Sequence, residues 1–466
     1  MNVLPIASCA AAFTVALLAP TNARLAGAQT PPSSPAPAVS QGAKPTPPAT
    51  AGVTTPVADP AFGATGWDAA DRAIAARFAP VFHQGMIGTR FDFITNFDFD
   101  GDWVGDNNWA NAAETRFAQK AYVYYAVSET PSHYFIHYAA YHPRDYKGGE
   151  LTGAVLSQAI RKGAEASQRV KQLPMANDIV LAHENDLEGC LVVVQKKGPR
   201  IEEAEVVVVE TLAHNRYLKF VPGATLTGNV GTVRLVEGTH PEIFVEPKGH
   251  GMEAFADQLQ KAKEGGGSSL PIPGLGGITG TSGGANGGDG NGSGGASGLV
   301  GRLTTLAARV DTARKLVNME KPETIRQYRY TGTADDPERG ANGAANSDGA
   351  VGYDLLPIYH TMWARARRVP NETYGEAQDY GARDVKVAGA SAAKSITLGS
   401  LGSAFRGVQG AENKARPPWG WFDMSERDRP LGEWFFDPAT VVLRHFPSSG
   451  IDPAYVHEPF LGITRK

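Results

Sequence analysis

The sequence predicts an all-β fold with peripheral helices and one long glycine-rich insertion, and three observations carry that expectation. First, Ala121 to Val127, Tyr134 to Ala140, Cys190 to Gln195, Glu205 to Thr211, Glu242 to Val245 and Thr440 to His445 are short runs of β-branched and aromatic residues bounded by turn formers. Second, Ala, Leu, Lys and Glu recur at helical spacing only at Asp68 to Phe78, Leu151 to Gln172, Met252 to Lys263 and Leu299 to Val317. Third, the 54 glycines and 32 prolines concentrate in a few tracts of a chain that is otherwise 42% hydrophobic and 9% aromatic, enough apolar material for a sizeable core.

From its start the chain reads as exported. Ala10 to Ala19 is apolar but much shorter than the ~20 residues of a membrane span, and Ala26-Gly27-Ala28 matches a small-x-small cleavage site. Residues 1–28 are therefore expected to be a signal peptide, although no Lys or Arg precedes the apolar run, and a secreted or periplasmic location follows. Ile6-Ala7-Ser8-Cys9 precedes the apolar run instead of following it, so it does not read as a lipidation site. Residues 29–66 are a Pro/Ala-rich linker, too poor in large apolar residues to offset their own ordering entropy. Folding is expected to begin at Trp67 and to give one domain over 67–466, interrupted by a flexible insertion at 264–298 that is about half glycine. No membrane span is expected in the mature chain.

Charge and thiols exclude several classes. With 44 Lys+Arg against 48 Asp+Glu there is no basic field to neutralise phosphates, so nucleic acid is not an expected partner. Of the two cysteines, Cys9 lies in the expected signal, leaving Cys190 alone in an apolar run, where it reads as a core residue.

The chemistry concentrates at His183-Glu184-Asn185-Asp186-Leu187-Glu188, which runs straight into Gly189-Cys190-Leu191-Val192-Val193-Val194. On a strand Glu184, Asp186 and Glu188 share a face with neighbours about 7 Å apart. Such like charges repel unless something neutralises them, and a carboxylate-rich set with an imidazole suits Mg²⁺, Ca²⁺ or Mn²⁺. The plainer reading is an acidic solvated turn. Leu187 stands where a zinc-protease helix needs its second histidine, which disfavours that class. A second candidate is Asp98, Asp100, Asp102 and Asp106, whose alternation can wrap oxygens around one Ca²⁺; Trp103 occupies the position at which an EF-hand needs glycine, and the plainer alternative is an Asp-rich turn packed under Trp103 and Trp109. His214 and His250 each close an apolar run before a polar or glycine-rich turn, placing them at sheet edges. Trp419, Trp421 and Trp434 sit beside several charges and read first as core closure.

His183-x-x-Asp186-x-Glu188 is similar to the Gly-His-Arg-His-Asp-Trp-Glu signature of the necrosis-inducing cytolysins of plant pathogens, and to the His-Glu-Gly-Asp-Trp-Glu form of the related vacuolar protein sorting family sixty-two. Val208 to His214 and His240 to His250 resemble later stretches of the second family, and Arg77 to Phe82 and Tyr134 to Pro143 its earlier ones, all in the same order over about 70 to 260. Two departures stand out: Ala182 replaces the leading glycine and Leu187 the tryptophan, while Asp178 is the nearest counterpart of the cytolysins' upstream aspartate. The resemblance implies a β-sandwich with a divalent-metal pocket at one edge, His183, Asp186 and Glu188 on metal positions, and His214 and His250 as nearby candidates. It implies recognition of a glycan or glycolipid surface. Two other readings use the same residues: a metal-dependent hydrolase of phosphoester or ester substrates, with Glu184 or His250 as base, and an envelope-associated module in which the metal is a structural staple. The sequence leaves the oligomeric state open.

Overall fold

The computed structural model describes residues 64–87, 90–146, 183–223, 230–255, 322–338, 350–368, 370–375, 377–407 and 415–465. The expected signal peptide, most of the linker, the glycine-rich insertion, Asp178 and the expected helices at Leu151 to Gln172 and Leu299 to Val317 lie outside them.

The chain enters through helix α1 (Asp68–Arg77) and strand β1 (Val81–Met86), makes a short helix α2 (Asn108–Asn111), and continues through β2 (Tyr122–Glu129), β3 (His133–Asp145), β4 (His183–Gln195), β5 (Glu205–Leu212), β6 (Tyr217–Pro222), β7 (Val230–Val233), β8 (Leu235–Val236), β9 (His240–Val245) and β10 (Met252–Ala254). Two late strands, β11 (Thr324–Tyr330) and β12 (Ala350–Pro357), complete one twelve-stranded mixed sheet in the order β10-β9-β1-β11-β12-β2-β3-β4-β5-β6-β7, with β8 paired to β9. The fold is thus mostly strands, as expected. The strands follow one hydrogen-bonded path, because β12 spends its first half on β11 (Ala350 to Tyr353) and its second half on β2 (Asp354 to Pro357), turning the corner between them. The two ends of that path approach each other: Thr211 Oγ1 donates to Met252 O at 2.6 Å, and Glu242 N to Arg234 O at 2.9 Å. The sheet is nearly closed.

Both faces of the central strands are covered, so they are apolar on both faces. Inside the curl, Ile136, Tyr138 and Ala140 of β3 meet Cys190, Val192 and Val194 of β4, together with Phe78, Phe82, Ile243, Tyr328 and Tyr353, and α1 plugs the interior with Ile74 and Ala75. Outside, Phe135, Ala139, Tyr141, Leu187, Leu191 and Val193 meet a layer contributed by the chain after Pro357. That layer holds short helices α3 (Ala364–Arg368), α4 (Pro370–Thr373), α5 (Glu433–Phe436) and α6 (Pro438–His445), and two small strand pairs, β13 (Ala377–Asp379) with β16 (Ser400–Gly402) and β14 (Ala382–Val385) with β15 (Lys394–Thr397). Trp419, Trp421 and Trp434 close the core here, each at most 2% exposed. Gly189 makes room for them: a Cβ at this position would lie 2.3 Å from Trp421 Cη2, and Trp421 Nε1 donates to Leu187 O on the same strand.

Two expected elements come out differently. Thr440 to His445 is helical, because Asp437 accepts a hydrogen bond from Thr440 N and Pro438 presets the first helical position, which outweighs the β-branched residues. Met252 to Ala254 opens the expected helix as strand β10, held antiparallel to Val245, Phe244 and Ile243 of β9.

Candidate functional site

β3 and β4 pair along their whole length, from His133 opposite Gln195 to Asp145 opposite His183, which sets His142 beside Asp186 and Arg144 beside Glu184. The regular alternation of β4 breaks at Asn185, whose φ is +61°. Asn185 tolerates this left-handed conformation and is held there by four side-chain hydrogen bonds: Nδ2 donates to Gly105 O (2.5 Å) and Arg406 O (2.6 Å), while Oδ1 accepts from Asn108 Nδ2 and the Tyr141 hydroxyl, both at 2.7 Å. The three acids therefore do not act as one ladder. Glu184 is fully buried and accepts from Trp109 N at 2.5 Å. Asp186 meets His250, and Glu188 sits half-buried opposite Ala140.

His250 is the centre of the cluster. Its Nδ1 lies 2.8 Å from Asp186 Oδ2 and its Nε2 lies 3.5 Å from Asp92 Oδ1, long for a hydrogen bond and better described as an ion pair. One face of its ring stacks on His142 at 3.6 Å between centroids, and His142 Nε2 is 2.9 Å from Gln84 Oε1 on β1. Gln84, Asp92, His142 and His250 are all completely buried. Burial alone would lower the His250 pKa, but the two carboxylates push it up to about 9. His142 has no such partner, and burial together with the His250 charge holds it well below the usual range. Burial would raise Asp92, yet His250 and the backbone N–H groups of Ile87 and Lys248 hold its carboxyl low. The pair of imidazoles thus carries one charge, balanced by two acids.

The turns that deliver the later histidines are strained. His214 and Asn215 have φ of +52° and +57°, and Lys248 and His250 +65° and +50°. Non-glycine residues held at positive φ cluster at functional sites. His214 Nε2 bonds Glu246 Oε2 at 2.9 Å and lies 3.3 Å from where a Cβ on Gly251 would stand, so His214 packs closely against the residue after His250. His183 has its own partners: its Nδ1 faces Glu184 O at 2.9 Å and its Nε2 lies 3.7 Å from Asp145.

A cationic and aromatic rim adjoins the acids. The Arg144 guanidinium lies between the rings of Phe91 (3.8 Å) and Trp109 (4.6 Å), Phe91 packs edge-on to Tyr146, and Lys248 Nζ stands 5.6 Å over Tyr146. Sequence reasoning missed Gln84, Asp92, His142 and Asp145. An acid between Phe91 and Phe93 was the available signal for Asp92.

The aspartate loop bonds its own amides. Asn96 donates to Asp98, Asn111 to Asp100, Val104 N to Asp102 and Asn107 to Asp102, while Asp106 is exposed. Burial raises both Asp98 and Asp100, the latter to about 6 with a further push from Asp102. Among the described residues no group of three or more His, Cys, Asp or Glu side chains is arranged to hold a metal ion, and no helix is long and apolar enough to cross a membrane. Cys190 is wholly buried and burial pushes its thiol up, which removes it as a nucleophile.

No protein-family model matches the chain, and neither does any curated protein. Solved structures similar to part of it include toxin-fold proteins. "Toxin fold for microbial attack and plant defense" matches at 17% identity over 39% of this chain and 66% of that one, with a TM-score of 0.23. "NLPPya in complex with mannosamine" matches at 17% identity over 41% and 69% with a TM-score of 0.23. The Necrosis and Ethylene inducing Protein 2 from the causal agent of cocoa's Witches Broom disease matches at 16% identity over 39% and 66%, again at 0.23. The chain spans about two thirds of the length of these proteins.

Proposed function

We propose that this chain is an exported protein that binds a divalent metal ion at the His250 cluster and recognises a glycan or glycolipid surface there. The observation that supports it is His250 held between Asp186 and Asp92, three side chains from three distant parts of the sequence brought together in a buried site. Two buried carboxylates demand a cation, and the imidazolium supplies one positive charge. Mg²⁺, Ca²⁺ or Mn²⁺ would displace the imidazolium proton and bring two positive charges to match Asp92 and Asp186, leaving His250 neutral as a ligand. His250 Nε2 is buried and makes no hydrogen bond among the described residues, so it fits as a donor to such an ion. His214 and Glu188 belong to the neighbouring positions, and His183, beside Asp145, to the outer edge of the site. A bound ion there would bridge protein carboxylates to ligand hydroxyls. The partly exposed side chains of Phe91, Trp109 and Lys248, backed by buried Arg144 and Tyr146, are the ones at this edge that would meet a sugar-bearing surface. Asp98, Asp100, Asp102 and Asp106 remain a second, calcium-specific candidate in this proposal.

Elemental analysis of the purified full chain tests it. One equivalent of a divalent metal is expected in the wild type and none in Asp186→Ala, with attachment to glycolipid-containing vesicles lost in chelator. Equal metal content in both proteins removes the site. A second equivalent, taken up as calcium and lost in Asp100→Asn, would belong to the aspartate loop.

A further inference from the structure

Along β1 successive side chains take opposite faces, so Phe82 enters the interior of the curl and His83 the outer face. His83 stands between Phe244 of β9 and Gln327 of β11, its direct partners on either side. Its ring is fixed twice. Phe255 stacks on it at 3.6 Å between centroids and 4° from parallel, and its Nε2 lies 2.9 Å from Glu242 Oε1. The other Glu242 oxygen accepts from Arg234 Nε.

These partners decide which nitrogen carries the proton. Burial would raise Glu242, yet the bonds from Arg234 and His83 hold its carboxyl low. An ionised carboxylate only accepts, so Nε2 bears the ring hydrogen and Nδ1 the lone pair. Burial outweighs Glu242 in setting the charge of the ring, and with Arg234 and Arg329 near it the His83 pKa lies below the usual value. Nδ1 makes no hydrogen bond among the described residues. It is also open: the unpartnered ring nitrogens of His133, His137, His142 and His250 are sealed from solvent, whereas that of His83, a residue 7% exposed, is not.

A guanidinium flanks the open nitrogen. Arg329 is the diagonal neighbour of His83 on β11, a spacing of about 7–8 Å that long side chains cross. Its Nε donates at 3.0 Å to Oε1 of Gln327, the residue directly opposite His83, which tethers the guanidinium beside the imidazole. Arg329 is exposed and forms no ion pair among the described residues, so both Nη groups are left for a ligand. Two residues before Gln327 on the same face stands Ile325, 47% exposed. A lone pair, a planar donor fork and an apolar side chain therefore adjoin one another on two paired strands.

We infer that the outer face of β1 and β11 binds a small α-hydroxy acid, its carboxylate on the Nη groups of Arg329 and its hydroxyl donating to His83 Nδ1. A guanidinium fork matches a planar carboxylate with two parallel bonds. An α-hydroxyl stands one carbon from that carboxylate, so one small molecule reaches both side chains. Glu242 and Arg234 act behind the ring as positioning residues, fixing the tautomer that makes Nδ1 an acceptor.

Equilibrium titration of the full chain at neutral pH tests it, with lactate, propionate and propylene glycol as probes. One lactate is expected per chain, bound several-fold tighter than propionate, which lacks the hydroxyl, while propylene glycol, which lacks the carboxylate, is silent. Arg329→Gln, a surface change, is expected to weaken lactate about tenfold. His83→Phe is expected to bring lactate down to the level of propionate and to leave propionate where it was, with circular dichroism checking the fold. The wild type gives a second reading: diethyl pyrocarbonate is expected to modify His83, located by peptide mass spectrometry, and lactate to protect it more than propionate does. Silence from both acids, propionate matching lactate, binding of propylene glycol, unchanged lactate affinity in Arg329→Gln, a lactate preference that survives in His83→Phe, or a His83 that lactate does not protect would each overturn the inference.

Discussion

The imidazoles of His142 and His250 lie parallel to within 1° at 3.6 Å, one neutral and one charged. Two cations would not stack this closely in a dry site, so the charge stays on the ring with the carboxylates. Asp186→Asn removes one of them, and the His250 midpoint is expected to fall from about 9 toward the ordinary value of about 6.5 in metal-free protein. Imidazole proton resonances followed against pH give the answer; an unmoved midpoint would mean that Asp92 alone sets it.

Asn185 links strand β4 to the aspartate loop and to Arg406 by its amide. Asn185→Ala loses four hydrogen bonds and puts alanine at positive φ, for an expected destabilisation of at least about 2 kcal/mol. Asn185→Gly is expected to recover the backbone part only. Urea unfolding midpoints separate the two contributions.

Gly189→Ala places a methyl group inside the Trp421 ring. Overpacking of this kind costs about 1–3 kcal/mol, and an added Trp421→Leu change is expected to restore part of it. A stable single variant would show that the outer layer can shift away from β4.

His445, between Glu210 and Glu426, titrates above its ordinary value; burial opposes the charge, but the bonds to the two carboxylates outweigh it, with Lys219 working against them. A raised folded-state pKa gives stability that is complete below about pH 6.5 and is lost as pH rises through the folded value. Arg444, bonded to Glu426, keeps its charge throughout. The unfolding midpoint of the wild type is therefore expected to fall as pH rises above about 6.5, and that slope is expected to become shallower in His445→Gln, with His250 supplying the remainder. The same variant leaves Glu210 buried without its cation, at an expected cost of about 3–5 kcal/mol.

Much of the sheet was legible because β2 to β5 carry β-branched and aromatic runs too short for helices, and the partnership of Asp186 with His250 was legible from the acidic motif and a histidine before a turn. The rest depended on information that no local window holds. The face on which Glu184 points was misread because Asn185 at φ +61° breaks a period of two. Thr440 to His445 reads as strand by composition, and the cap from Asp437 decides otherwise. Asp92 and His142 enter the cluster by folding alone, 158 and 108 positions from His250 in a 466-residue chain. The continuity of the sheet through β12 is likewise a property of pairing, with no local signal in its eight residues.

The order β1-β11-β12-β2 puts β11 and β12, the first of which begins at Thr324, between two strands that the ribosome finishes more than 190 residues earlier. Until they emerge, β1 and β2 each show a bare edge, and bare edges pair with strangers. Such distant pairing is slow to find. Completing synthesis and closing the curl are therefore nearly one event, and a nascent fragment that stops short of Thr324 would be a candidate for chaperone custody and degradation, with no working half of the molecule to leave behind.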